Sequence, residues 1–197
     1  FFAIALAVVL IDLLPNAVKF KVSQPADGVL PPSSFVDKLT RDRGAWRVAK
    51  LGPDVMPANT ATIMGIDDIH GYDALNVRYY IEVLGAVDST MISPANAALR
   101  RRIGPISDQA ALGSRVLDLL NVKYVLTVVK SSTSRGQPVA LPNEDYLPRA
   151  FLASESHLFD TYEGMLEYMK TRDFDPKRDV LLAKGDAPAV AVVWGGS

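Results

Sequence analysis

The chain has 197 residues, no cysteine and a formal net charge of −1. That length holds one sizeable domain or one domain with a short appendage, and 49% hydrophobic against 22% charged residues is enough to bury a core and excludes a disordered chain. The near-neutral charge, with Arg100-Arg101-Arg102 as its one basic run, supplies no phosphate-tracking surface for nucleic acid, and the lack of cysteine excludes disulfide frameworks, thiolate zinc sites and cysteine nucleophiles.

Phe1 to Leu14 is an apolar run interrupted only by Asp12. As a helix it spans about 21 Å, against the ~30 Å hydrocarbon core of a bilayer. Three readings fit: the end of a transmembrane helix with Asp12 near the interface, a buried helix, or the apolar part of a signal peptide without its basic start. The first is the expectation adopted for residues 1–14. Pro15 and Asn16 are expected to end the run. Residues 15–32, with Pro25, Pro31 and Pro32, read as a linker, and residues 33–197 as the folded domain.

Within that domain, 33–40 predicts a short helix capped by Ser34, and Trp46 to Leu51 alternates apolar and basic residues as a first strand. Asp73 is a candidate N-cap for a helix over 74–84. Residues 91–106 read as a loop. A helix capped by Ser107 or Asp108 runs to Leu120, with Leu112, Val116, Leu119 and Leu120 facing inward. Lys123 to Val129 is the strongest strand, nearly continuous in apolar residues and therefore expected at the centre of a sheet. A turn over 131–136 leads to a short edge strand at 138–141. Strands over 149–155, 179–183 and 189–194, and a helix over 161–171 capped by Asp160 with Glu163 in a capping box, complete the order. The fold class is α/β (α+β): a mixed β-sheet flanked by helices, preceded by the end of a transmembrane helix.

The densest chemistry lies in Gly65-Ile-Asp-Asp-Ile-His-Gly-Tyr-Asp73. Asp67, Asp68, His70 and Asp73 suggest a divalent metal site. One extended segment rarely aims four groups at one point, however, because alternate residues face opposite sides. Asp68 and His70 share one parity, Asp67 and Asp73 the other. The favoured reading is a turn, its glycines adopting unusual backbone angles and Asp73 capping the next helix; sugar binding and metal binding stand behind it. Tyr72, Arg78, Tyr79 and Tyr80 offer aromatic faces and a guanidinium to a sugar or phosphate, although tyrosines at helical spacing are more often packing residues. Arg149 is expected to pair with Asp118 or Asp145. No serine elbow, zinc-protease motif or glycine-rich phosphate loop is present. The candidate binding residues are Asp68, His70, Tyr72, Arg78 and Tyr79, with no catalytic residue, metal ligand or cofactor assigned.

Trp46-Arg-Val, Pro57-Ala-Asn-Thr60, the Gly65 to Asp73 phrase, Val77-Arg-Tyr79, Leu117-Asp-Leu-Leu-Asn-Val-Lys-Tyr124 and Leu147-Pro-Arg-Ala150 follow one another in an order that resembles the extracytoplasmic region of the YfhO-like bacterial membrane proteins. The resemblance runs over about residues 8–184. Those proteins are related to GT-C glycosyltransferases, which use polyprenyl-phosphate-linked sugars. The resemblance implies an extracytoplasmic accessory domain at the bacterial cell membrane, assisting cell-envelope glycan or glycolipid modification. Its implied partners are the membrane, a transmembrane domain of its own, and a glycan or polyprenyl-phosphate sugar. It carries over no catalytic residue, since the loop that bears the GT-C carboxylate has no counterpart here. The alternatives are a soluble noncatalytic glycan-binding module and a metal-dependent α/β hydrolase using Asp67, Asp68 and His70.

Overall fold

A computed structural model describes residues 1–20, 33–52, 55–72, 76–92, 102–131 and 134–184. The chain divides into two compact units, Phe1–Asp37 and Lys38–Ser197. The first unit holds helix α1 (Phe2–Phe20), which continues through Pro15 rather than ending there. Its main apolar stretch still stops at Leu14, and Pro15, Asn16 and Lys19 are interspersed with Ala17, Val18 and Phe20 in the remaining turns. Among the described residues no helix is long and apolar enough to cross a membrane. That overturns the expected end of a transmembrane helix: α1 runs on past Leu14, but the polar Asn16 and Lys19 and the Pro15 ring break its apolar character before it reaches the length of a bilayer core. The linker over 21–32 lies outside the described residues. Helix α2 (Ser34–Arg41) follows, with the Ser33 hydroxyl rather than that of Ser34 standing 3.5 Å from the Val36 amide.

In the second unit, β1 (Arg47–Lys50), β4 (Val122–Ser131) and β5 (Ser134–Pro142) form a mixed sheet in the order β1-β4-β5. β1 runs parallel to β4, pairing Val48 with Tyr124 and Lys50 with Leu126, while β4 and β5 form an antiparallel hairpin. The predicted central strand is therefore central, and its apolar run is explained by burial of Val122, Val125 and Leu126. The predicted edge strand is longer than expected, because pairing extends from Tyr124–Pro142 to Ser131–Ser134. The other edge of β1 is covered as well. Val48 bridges to Asp68 and Leu51 to Ile106, both in parallel sense. β1 thus has backbone partners on both sides, which accounts for the complete burial of Val48 and Ala49.

Helices α3 (Thr60–Ile63), α4 (Arg78–Val87), α5 (Arg115–Leu119) and α6 (Tyr162–Met169) supply the remaining core. Leu84 and Val87 of α4, Val116 and Leu117 of α5, Met169 of α6 and Phe174 join Ala49, Ile69 and Val122 in one apolar cluster. A small pair, β2 (Gly71–Tyr72) with β3 (Arg102–Ile103), is antiparallel; β6 (Glu155–Phe159) and β7 (Asp179–Ala183) are parallel.

Several boundaries differ from the sequence reading for local reasons. α4 starts at Arg78, after Val77, which makes no side-chain cap; Asp73 lies outside the described residues. The helix expected over 108–120 is two pieces. Asp108 caps a 3-10 turn over Gln109–Gly113, and the extended Ser114 then caps α5 through the Val116 amide. β6 begins at Glu155, not Arg149, because its partner begins opposite it at Asp179. Thr161, rather than Asp160, caps α6 by accepting from the Gly164 amide. The strand expected over 189–194 lies outside the described residues.

Asp88, at the end of α4, ties the loops together. Its Oδ1 accepts from the Thr90 amide and hydroxyl, and its Oδ2 from the Ser107 and Asp108 amides. Burial raises the carboxyl's pKa, but these donors outweigh it and bring it down to about 2. A depressed folded pKa means stability that is fully present above the ordinary carboxylate range and is lost as pH falls through about 2. Asp88→Asn should cost about 3 kcal/mol in urea unfolding at neutral pH, and should flatten the acid limb of the stability curve. An unchanged acid limb would exclude Asp88 as its source.

Candidate functional site

The segment Ile66–Tyr72 is laid along the outer edge of β1 by two backbone bonds. The Val48 amide donates to the Asp67 carbonyl at 2.8 Å, and the Ile69 amide to the Val48 carbonyl at 3.1 Å. Gly65, at φ 71°, makes the turn that delivers the segment. As the parity argument predicts, Asp68 and His70 meet while Asp67 faces away. Asp67 pairs with Arg149 on an exposed surface, so the expected pairing of Arg149 with Asp118 or Asp145 is replaced. Asp118 instead accepts from the Asn143 side-chain amide, and Asp145 lies 3.5 Å from Lys177.

Asp68, Lys50 and His70 form a buried ionic cluster, with side chains 3%, 5% and 2% exposed. The Lys50 ammonium sits 2.7 Å from Asp68 Oδ2. Asp68 Oδ1 accepts from the His70 backbone amide and lies 2.9 Å from His70 Nδ1. Burial alone would raise the Asp68 pKa, yet His70 and Lys50 together hold it below the usual carboxylate range. An ionised Asp68 assigns the ring proton to Nδ1. Nε2 is buried and without a hydrogen-bond partner among the described residues. Lys50 is the member that sequence reasoning missed. The sequence reading placed it in a strand without a role, and only the backbone bridge between Val48 and Asp68 brings the carboxylate that pairs with it.

Above this cluster lies a cleft of about 520 Å³, lined by residues that include Asn59, Thr62, His70, Tyr72, Asn76 and Tyr80. Asn59 caps α3 from a left-handed conformation, φ 65°. Its amide clamps Tyr72 from both sides: Nδ2 donates to the Tyr72 carbonyl at 2.8 Å and Oδ1 accepts from the Tyr72 amide at 2.9 Å. The Tyr72 side chain remains 53% exposed. Tyr80 fixes the opposite wall, its hydroxyl donating to the Ile69 carbonyl at 2.9 Å; burial is the main cause of its pKa being pushed up to about 12. Of the five candidate binding residues, Asp68, His70 and Tyr72 thus share the cleft. Arg78 and Tyr79 do not line it: Arg78 pairs with Glu82 at 2.7 Å, and the exposed Tyr79 packs against Tyr162 with ring centroids 4.6 Å apart. A second cleft, of about 550 Å³, is lined by Asp88, Asp108 and Arg115. The two buried oxygens of Asp88 are already occupied there, leaving a weaker case for a ligand.

No family model, curated protein or solved structure matches this chain. With no spanning helix among the described residues, the expected kinship with the YfhO-like and GT-C proteins is overturned. So are the expectations drawn from it: an accessory role to a multi-pass glycosyltransferase, an extracytoplasmic place at the bacterial cell membrane, and a transmembrane domain, membrane and polyprenyl-phosphate sugar as partners.

The ionic cluster is tested by separating its charges. Asp68→Asn leaves a buried ammonium without its counter-charge and should destabilise by about 3–5 kcal/mol, whereas Lys50→Met with Asp68→Leu should fall within roughly 2 kcal/mol of the parent. Denaturant unfolding of the single and double variants measures this. A cost below about 1 kcal/mol for Asp68→Asn would place the pair in water.

Proposed function

We propose that this domain is a noncatalytic module that binds carbohydrate in the cleft beside Tyr72. The observation that carries the reading is the exposed Tyr72 ring, on a backbone held by both atoms of the Asn59 amide, at the rim of a cleft of about 520 Å³. An exposed aromatic face complements the C–H face of a sugar, and polar side chains in the cleft complement its hydroxyls. Thr62 and Asn76 line that cleft. Pre-positioning matters because the backbone that carries the ring is already held and loses little entropy on binding.

The site favours binding over hydrolysis. Asp68 is occupied by Lys50 and His70, and Asp67 is turned to Arg149. General acid–base hydrolysis of a glycoside needs two carboxyl groups facing the scissile bond, and these two diverge. The same divergence weighs against the metal-dependent hydrolase built on Asp67, Asp68 and His70, as does the ammonium of Lys50 against the carboxylate that a cation would need.

Titrating the full chain with a panel of neutral and acidic oligosaccharides, followed by NMR, should shift resonances of Thr62, Tyr72 and Asn76. Tyr72→Ala should weaken the best ligand about tenfold, the equivalent of roughly 1.4 kcal/mol of stacking, while Tyr72→Phe retains binding. Shifts confined to other surfaces, or no response to millimolar sugar, would reject the proposal.

A further inference from the structure

We propose that Glu155, His157 and Asp179 form a binding site for a divalent transition-metal cation, with zinc the best match. Glu155 and His157 are alternate residues of β6 and share a face, and Asp179 on β7 lies directly opposite Glu155. One donor atom from each lies within 4.8 Å of the other two. His157 Nε2 is 3.1 Å from Asp179 Oδ1. Ligands of a tetrahedral zinc ion at ordinary bond lengths lie about 3.3 Å apart, so a cation needs small side-chain movements and no backbone rearrangement. One imidazole and two carboxylates suit zinc, whose charge the carboxylates offset.

The surroundings hold the donors in place. Asp179 Oδ2 accepts from the Asp175 amide at 2.8 Å and lies 3.3 Å from the Tyr168 hydroxyl, which leaves Oδ1 directed at the imidazole. The Tyr168 ring packs against His157 with centroids 5.2 Å apart. Outer hydrogen bonds of this kind orient metal ligands. The Asp179 side chain is 2% exposed and that of His157 34%, so the site is anchored from below and open to solvent on one side, where water completes the coordination. The competing contact is Arg178 with Glu155 Oε2, 2.8 Å, between side chains 57% and 47% exposed. Solvated pairs of that kind contribute little, and Glu155 can turn from one to the other.

Titrating untagged full-length protein with zinc by calorimetry should show one equivalent bound and a raised melting temperature. His157→Ala and the exposed Glu155→Gln should each weaken binding at least about tenfold, and Glu155→Gln, which loses only a solvated pair with Arg178, should leave the metal-free melting temperature unchanged. Excess magnesium should not displace the ion, since it prefers all-oxygen octahedral sites. No stoichiometric uptake, uptake undiminished in both variants, or displacement by magnesium would each overturn the assignment.

Discussion

A buried ammonium, a buried carboxylate and a buried imidazole, taken one at a time, are each costly to remove from water. Brought together as Lys50, Asp68 and His70, they become the constraint on which this fold turns. Lys50 belongs to a strand with backbone partners on both edges, and Asp68 and His70 belong to the segment that supplies one of those edges. The ionic contact therefore fixes the position of Ile66–Tyr72 against β1. Everything above it inherits that position: the Tyr72 ring, the Asn59 clamp and the Tyr80 hydroxyl on the Ile69 carbonyl. A buried ion pair of this kind contributes less to net stability than to specificity, because desolvation offsets much of the attraction. Its consequence here is a defined register for a segment with few regular hydrogen bonds of its own.

The same logic separates the two polar groupings of the domain. Around Asp68 the charges are mutually satisfied, and what the cleft offers a ligand is shape, an aromatic face and neutral polar groups. Around Asp179 two carboxylates and an imidazole converge, with the solvated guanidinium of Arg178 paired to Glu155. The first arrangement suits an uncharged, hydroxyl-rich ligand; the second suits a cation. Neither requires the chain to carry out a reaction.

Much of the architecture was legible in the amino-acid order. The nearly unbroken apolar run at Lys123–Val129 marked the central strand, because only a strand buried on both faces tolerates it. The alternation of Asp67 and Asp68 correctly separated the carboxylate that meets His70 from the one that does not. What failed were features decided by distant partners. Lys50 has no marked role along the chain until Asp68, 18 positions later, is placed beside it. Arg149 was expected to meet Asp118 or Asp145, and only the fold brings it to Asp67, 82 positions away along the chain. His157 has no marked sequence context, and its neighbour Asp179 arrives through the parallel pairing of β6 and β7. The apolar start is a different case: a run of about 21 Å reads as the end of a longer span, and among the described residues no helix is long and apolar enough to cross a membrane.

Native-state hydrogen exchange of the Val48 and Ile69 amides tests the central claim most directly. If the ionic cluster makes Ile66–Tyr72 an integral part of the core, these two amides exchange only through global unfolding, with the same free energy and denaturant dependence as Leu126 in β4. Exchange of Ile69 through a low-energy local opening, while Leu126 stays protected, would show that the segment is held independently of the core, and the account would fail.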